Sequence, residues 1–290
     1  MNLFWSGVYS AYKIIGPDLT SSGIVTLRFG ITALCFLLAW RWLPGKTPTG
    51  RDLLRSCLLG LVLIVLGQRL QVYGNELGTA GNSAVLMAVE PLITSLGAAM
   101  FLREPIGPRR LAGFTMGMLG VMLLNGVWRS DFQWTGLVPS LIFISSFLCE
   151  AAASIIGKPI VQRASVMKML TIALSFATVV NLAIDGRTTL SSARSLPWQS
   201  WVILWGLALI CTVVGYTVWF VVIRDCPVNV AALTVFSQAV FGVAIAALWV
   251  GEKLHWGQLF GSLTIVAGLV LGLSRQVQRP QQASNEAVPG

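Results

Sequence analysis

The feature that most constrains this chain is a series of ten apolar segments, most of them about 20 residues long, separated by short polar breaks. The segments cover residues 1–15, 22–43, 53–74, 82–102, 109–127, 134–156, 167–184, 199–222, 229–250 and 256–274. A helix of about 20 apolar residues crosses a hydrocarbon core of roughly 30 Å. Because lipid offers the backbone no hydrogen-bond partners, each segment is predicted to be a membrane-spanning helix.

Composition points to the same class. Hydrophobic residues make up 55% of the chain and charged residues 11%, whereas a typical soluble domain has about 25% charged residues. A soluble protein of 290 residues would need more charge to cover its surface. We therefore predict an all-α integral membrane protein with ten transmembrane helices. The first segment is short for a crossing, so we expect the sequence to begin inside its first helix.

The basic residues predict an orientation. They are concentrated in the tail and in the breaks after segments two, four, six and eight, whereas the alternate breaks hold only Arg129, Arg187, Arg194 and Lys253. The positive-inside rule then places both termini in the cytoplasm, with the chain in the inner (plasma) membrane. The net charge of +9 reflects this asymmetry, so no nucleic-acid partner is expected. The polar tail, residues 275–290, is predicted to be disordered.

Several kinds of site are disfavoured by the sequence. The five cysteines show no CxxC spacing, which argues against a disulfide framework or a metal site. The chain also lacks a GxxxxGK[ST] phosphate loop and an HExxH motif. We predict no catalytic residues, no metal, no cofactor and no enzyme activity.

An internal repeat organises the chain. A shift of 148 residues aligns 60–124 with 208–272 without a gap. Glu104, Gly113 and Gly120 then coincide with Glu252, Gly261 and Gly268. We predict two repeats, at 1–127 and 134–274. Because each holds an odd number of crossings, the two must have opposite orientations. Inverted repeats around a central site are typical of secondary transporters.

Four stretches resemble one protein family. "WSGVYSAYK" at 5–13, "TLRFG" at 26–30, "AVLMAVEPLITSLGAAMFLREPI" at 84–106 and "ALTVFSQAVFGVAIAALWVGEKL" at 232–254 are similar to the first, second, fourth and ninth helices of the EamA family. This family is part of the drug/metabolite transporter superfamily. The resemblance extends over roughly residues 1–275 as two EamA units.

The resemblance implies a ten-helix transporter whose inverted five-helix halves surround a central cavity. It also implies export of small organic metabolites, with amino acids, including aromatic ones, as substrates of some relatives. Two features depart from the family pattern, the short first helix and Gln238-Ala239 at the positions that match Glu90-Pro91. The second departure suggests that the two halves contribute unequally to the site.

Glu90 is the principal candidate, because an ionised carboxylate deep in a span is costly unless it is paired, hydrated or protonated. It could be a cavity-facing group that binds a proton or a cation. Alternatively, it could be a structural residue paired with Arg69 or Arg28, or bonded to backbone groups that Pro91 leaves free. Pro91 is expected to kink the helix.

Polar residues of the third segment are the next candidates. At 100° per residue Gln68 and Gln71 share a face, with Arg69 beside it. All three are predicted to line the cavity, and Arg69 is a candidate partner for a substrate carboxylate or for Glu90. Glu150, deep in the sixth segment, is a further candidate for the lining.

The repeat adds candidates from the second half. The shift places Tyr216, Trp219 and Gln238 on the positions of Gln68, Gln71 and Glu90. An aromatic wall opposite a polar wall would suit an amphipathic or aromatic solute. Packing, or an interfacial aromatic belt, is the alternative role for Tyr216 and Trp219.

Other charged residues are predicted at the ends of spans. Lys13 and Arg28 match positions of the family and are candidates for a gating or structural role. Both lie near outer ends, where their side chains could also extend to the lipid headgroups. Glu104 and Glu252 occupy equivalent breaks and are expected to brace loops or to take part in gating. The spaced glycines of helices five and ten indicate close helix packing, as scaffold or as a homodimer surface.

The leading functional prediction is therefore a secondary transporter that exports small organic metabolites by alternating access. It would be driven by a proton gradient or by the substrate gradient alone, so its expected partners are a small-molecule substrate, membrane lipid and, in the first case, protons. The alternative is a flippase for lipids or lipid-linked carriers, which would share the same architecture.

Overall fold

The computed structural model describes residues 1–77, 86–131, 136–245 and 256–274, and over these ranges the chain is helical without a strand. We group the helices into ten segments in chain order. They are α1 (Asn2–Trp5 and Val8–Ile15), α2 (Ser21–Leu38), α3 (Arg51–Leu77), α4 (Met87–Phe101), α5 (Pro108–Leu124), α6 (Leu137–Val161), α7 (Val166–Arg194), α8 (Trp198–Asp225), α9 (Val228–Leu233, Thr234–Phe236 and Ser237–Ile245) and α10 (Trp256–Leu273).

Six helices in the described ranges are long and apolar enough to cross a membrane: α2, α3, α6, α7, α8 and α10. The apolar helices Met87–Phe101 and Val228–Gly242 are shorter. The all-α class is thus confirmed for these ranges, whereas ten crossings remain a prediction. Glu252 and the tail 275–290 lie outside the described residues.

Helix α7 is longer than the sequence analysis expected. The apolar segment ends at 184, yet the helix continues to Arg194, so Arg187 and Arg194 belong to a helix rather than to a loop. The Asp, Gly, Thr and Ser residues of this stretch have low helix propensity, which the tertiary context overrides here. As a consequence Asp185, placed by hydropathy in a break, lies within a packed helix.

Helices α3 and α8 each contain a π-helical stretch at mid-length, Leu61–Gln68 and Leu207–Val214. Such stretches are rare and are often found at functional sites. Shifting Leu61 by 148 residues places it at 209, two residues past the start of the second stretch. The same shift carries the ends of α3, at 51 and 77, to 199 and 225, within one residue of the ends of α8 at 198 and 225.

Helices α5 and α10 cross at glycines. A Cβ atom on Gly120 would lie 2.8 Å from the carbonyl oxygen of Gly261, and one on Gly261 would lie 2.6 Å from that of Gly120. Likewise, a Cβ atom on Gly113 would lie 2.8 Å from the carbonyl oxygen of Gly268, and one on Gly268 would lie 3.0 Å from that of Gly113. The 148-residue shift relates Gly113 to Gly261 and Gly120 to Gly268, so it converts the contact of Gly120 with Gly261 into the contact of Gly113 with Gly268. The helix pair therefore has a local two-fold relation. The glycines thus pack within the chain, and a homodimer remains a prediction.

Helix α1 is fixed to the second half. Asn2 Nδ2 donates to the backbone oxygen of Thr234 at 2.7 Å and to Ser237 Oγ at 3.0 Å. Trp5 Nε1 donates to the backbone oxygen of Cys211 at 2.8 Å, within the π-helical stretch of α8. On the opposite side α6 packs against α3 and α4. These two walls enclose the interior where the polar side chains meet.

The glycine crossing predicts a stability effect. Gly120→Ala is expected to lower the unfolding free energy by about 1–3 kcal/mol, because the added methyl would press on the backbone of Gly261. Thermal unfolding of the detergent-purified protein measures this effect. Gly206→Ala in α8 is the matched control, since a Cβ there meets nothing within 4 Å and alanine favours helix. Equal stability of the two variants would contradict the close crossing.

Candidate functional site

A small cavity of about 70 Å³ lies between the two halves, with room for a few water molecules. Both halves contribute to its wall, and every residue predicted to line a cavity is present except Arg69. The lining consists of Trp5, Val8, Arg28, Leu63, Gln68, Gln71, Met87, Glu90, Thr94, Glu150, Ala153, Ser154, Tyr216, Trp219, Phe220 and Gln238.

The polar centre of the cavity is a pair of carboxyl groups. Glu90 of α4 and Glu150 of α6 are hydrogen-bonded to each other. Gln71 Nε2 donates to Glu150 Oε1 at 2.8 Å, and Gln68 Nε2 donates to the same oxygen at 3.2 Å. A hydrogen bond between two carboxyl groups requires a proton on one of them. The pair in this arrangement therefore holds at least one proton, and the two amides orient it.

A change of helix type places Glu90 at the wall. Glu90 follows the 3₁₀ turn Met87–Val89 and begins the α-helical part of α4, with Pro91 in its first turn. The missing N–H of a proline costs little at that position. Pro91 thus marks a transition between helix types rather than a kink inside an α-helix. In α9 the same transition, at Thr234–Phe236, precedes Gln238 without a proline.

Aromatic side chains form the wall contributed by α1 and α8. The ring centroid of Trp5 lies 5.7 Å from that of Tyr216 and 6.1 Å from that of Trp219. Trp219 Nε1 donates to Ser154 Oγ at 3.2 Å. Tyr216 and Trp219 are buried in the protein interior, so their assignment to an interfacial belt is wrong. Nothing in the sequence marked Trp5 and Ser154 as lining residues beyond their places in apolar segments.

Arg69 does not reach the cavity or Glu90, which corrects the prediction. Its Nη2 atom lies 3.0 Å from Asp185 Oδ2, and its Nε donates to Asn181 Oδ1 at 2.8 Å, both on α7. Nη1 donates to Ser22 Oγ at 3.1 Å. Because successive side chains of a helix point about 100° apart, Arg69 points away from the cavity that the preceding residue, Gln68, lines. The unexpected length of α7 supplies its carboxylate partner.

Arg28 occupies the interior position expected of Arg69. It is 2% exposed and lines the cavity. Its Nε donates to Thr212 Oγ1 at 2.9 Å, and its Nη1 donates to the hydroxyl of Tyr12. The expectation that Arg28 extends to the headgroups is therefore wrong, because hydroxyl groups of α1 and α8 bind its guanidinium inside the protein.

A second cavity of about 270 Å³ lies where α1 and α3 end and α2 begins. Lys13, Asn75 and Glu76 contribute to its wall, and the hydroxyl of Ser21 donates to Glu76. Lys13 is exposed here. Tyr12 also lines this cavity, and its hydroxyl lies 3.5 Å from Gln68 Oε1. Tyr12 thus separates the second cavity from the central one.

At the opposite end Glu104 links the two halves. Lys158 Nζ lies 2.6 Å from Glu104 Oε1, and the backbone N–H of Asn229 donates to Glu104 Oε2 at 3.1 Å. Lys158 also donates to the backbone oxygen of Cys226 at 2.9 Å, and Arg110 Nη1 donates to Asn229 Oδ1 at 2.7 Å. This network, called here the inner contact, closes the end opposite Tyr12.

Apolar helices around a small polar cavity to which both halves contribute are an arrangement found in many membrane transporters. The model of the EamA-like transporter family matches residues 1–126 and 138–274. The chain therefore belongs to the EamA-like transporter family, as its sequence motifs suggested.

Named relatives share the whole length or a large part of it. The chain is 21% identical to a probable terminal-alkyne amino-acid exporter of Streptantibioticus cattleyicolor, over 97% of this chain and 93% of that protein. It is 24% identical to a probable amino-acid metabolite efflux pump of Escherichia coli, over 67% of each. One crystal structure shares its fold with a TM-score of 0.75 and 14% identity, over 93% of this chain and 92% of that one.

The contact between Arg69 and Asp185 predicts energetic coupling. Arg69→Gln and Asp185→Asn are each expected to lower the free energy of unfolding. The loss in the double variant should be smaller than the sum of the two single losses by about 1 kcal/mol or more, because the two residues share one interaction. Chemical unfolding in detergent measures the cycle. The exposed pair Arg129 and Asp131, 51% and 67% accessible, is the matched control and should show coupling near zero. Additive losses at Arg69 and Asp185 would refute the pairing.

Proposed function

We propose that this chain is a secondary transporter that exports small organic metabolites, amino acids and related compounds among them, by alternating access. The observation that carries the proposal is the Glu90–Glu150 carboxyl pair in a cavity lined by both halves. The names of the two relatives support the substrate class.

The proposed architecture is two inverted repeats, 1–127 and 134–274, that rock about the central cavity. The two-fold relation of the α5–α10 crossing supports this arrangement. The positive-inside rule supports cytoplasmic termini in the inner membrane. With this orientation the inner contact lies on the cytoplasmic side and Tyr12 lies towards the outside.

The carboxyl pair supports coupling to protons. With one proton, Glu90 and Glu150 together carry one negative charge, which is costly in an apolar interior unless it is neutralised. A second proton or the ammonium group of a substrate can neutralise it. Since either one fills this role, binding of a second proton and binding of the substrate are alternative steps of one cycle.

A flippase gains less support. Polar and aromatic side chains line the cavity on both walls, which suits a soluble solute better than a lipid chain. Neither of the two relatives named above carries a lipid in its name.

Coupling at the carboxyl pair predicts a transport phenotype. In proteoliposomes loaded with a labelled amino-acid panel, an imposed proton gradient should accelerate efflux by the wild type. Glu90→Gln and Glu150→Gln should each abolish that acceleration, because an amide cannot release a proton. Glu76→Gln, at an exposed glutamate outside the central cavity, is the control and should respond like the wild type. A normal response in both cavity variants would exclude this coupling.

Alternating access predicts that the inner contact governs access to the cavity. In a cysteine-free background, a reporter Ser154→Cys lies at the cavity wall. Adding Glu104→Gln should raise its labelling by an impermeant maleimide from the cytoplasmic face several-fold, because loss of the ion pair favours the inward-open state. Inside-out vesicles measure the rate. Unchanged labelling, with the variant still folded, would show that the inner contact is not a gate.

A further inference from the structure

The central cavity contains a buried arginine that no carboxylate of the described residues contacts directly, although Glu150 of the same lining acts on it electrostatically from a greater distance. Arg28 is 2% exposed, and within the described residues its side chain donates hydrogen bonds to the hydroxyls of Thr212 and Tyr12. Among the described residues no carboxylate lies within ion-pair distance of Arg28, and none accepts a hydrogen bond from its Nη2 group. A buried guanidinium that is bound only to neutral groups lowers the stability of the fold, so we expect this residue to have a function.

Arg69 provides the comparison within the same chain. It is the other arginine deep in the helical interior, and the carboxylate of Asp185 pairs with it at 3.0 Å outside the central cavity. Arg69 therefore has its counterion in the fold, whereas Arg28 faces a space that a ligand can fill. The two arginines thus differ in whether the fold provides a carboxylate partner, and their distance from the helix ends does not account for this difference.

We propose that Arg28 is the anion-binding group of the central cavity and receives a carboxylate of the transported compound. The inference rests on the proposed function and specifies its substrate. A guanidinium offers a planar fork of N–H donors that matches a carboxylate. The Nη2 group of Arg28 donates to none of the described residues and is available for this contact.

The arrangement of charge specifies a zwitterion. Arg28 supplies a positive charge to the cavity wall, and the Glu90–Glu150 pair, when it holds a single proton, supplies a negative charge at a separate position in the same lining. A compound that carries both a carboxylate and an ammonium group satisfies both positions. A compound with an ammonium group alone leaves Arg28 without a counterion. The site therefore selects amino acids and related zwitterions over organic amines.

A purely structural role for Arg28 makes a different prediction. As a brace between α1, α2 and α8, it would affect the binding of every ligand in the same proportion. Three probes with one ring separate the two roles: L-phenylalanine, 3-phenylpropanoate, which lacks the ammonium group, and phenethylamine, which lacks the carboxylate. The ring suits the wall of Trp5, Tyr216 and Trp219. Calorimetry on the detergent-purified full chain measures the three affinities.

Arg28→Gln is expected to weaken binding of phenylalanine and of 3-phenylpropanoate by about tenfold or more, because a charge-assisted contact is lost. Binding of phenethylamine should be unchanged or tighter, since a repelling charge is removed. Arg28→Lys should keep a smaller preference for the two carboxylates, because it retains charge without the fork. Thr212→Val, which removes a neutral partner of Arg28, is the control and should shift all three probes alike.

Each other outcome overturns the inference. Equal weakening of all three probes in Arg28→Gln, or no change for the two carboxylates, would make Arg28 a brace. If Arg28→Gln does not fold, Arg28→Lys provides the test, through the affinity for the two carboxylates relative to the affinity for phenethylamine. Wild-type binding of phenethylamine alone would reject the anion site and leave a transporter of other small compounds. Binding of none of the three would contradict the amino-acid class of the proposed function as well.

Discussion

The cost of placing charge among apolar helices is the constraint on which this structure depends. Each interior charge needs a partner, and the partners differ in kind. Arg69 has Asp185, and Lys158 has Glu104, so these charges are neutralised within the fold. The carboxyl pair is balanced by a proton and two amides, and Arg28 by hydroxyls. Charged groups without a counterion in direct contact are thus concentrated in the central cavity, where a ligand can neutralise them.

Segment length and hydropathy were enough to predict the all-α membrane class, because the bilayer fixes how many apolar residues a crossing needs. Helical periodicity also placed Gln68 and Gln71 on one face, and depth in a span singled out Glu90 and Glu150. These residues meet in the structure because each belongs to a helix that contributes to the cavity wall. Local patterns therefore recovered most of the polar centre.

The roles of the two arginines could not be predicted. Periodicity gives the face of a helix but does not say which neighbour that face meets, so Arg69 was placed in the cavity and Arg28 at the headgroups. The π-helical stretch before Arg69 changes the turn per residue on which the face was calculated. The partner Asp185 was assigned to a loop because hydropathy marks the apolar part of a helix and not its end. Residues of this kind require tertiary contacts.

The attachment of Asn2 to the start of α9 has a consequence for stoichiometry. The 148-residue shift relates Asn2 to Glu150 and Gln238 to Glu90, so the contact of α1 with α9 is the counterpart of the carboxyl pair between α6 and α4. A transporter made of two identical halves would carry two acid pairs. Here the related positions hold amides, which do not titrate. Under the proposed coupling, the Glu90–Glu150 pair is therefore the single place of proton exchange among these four positions.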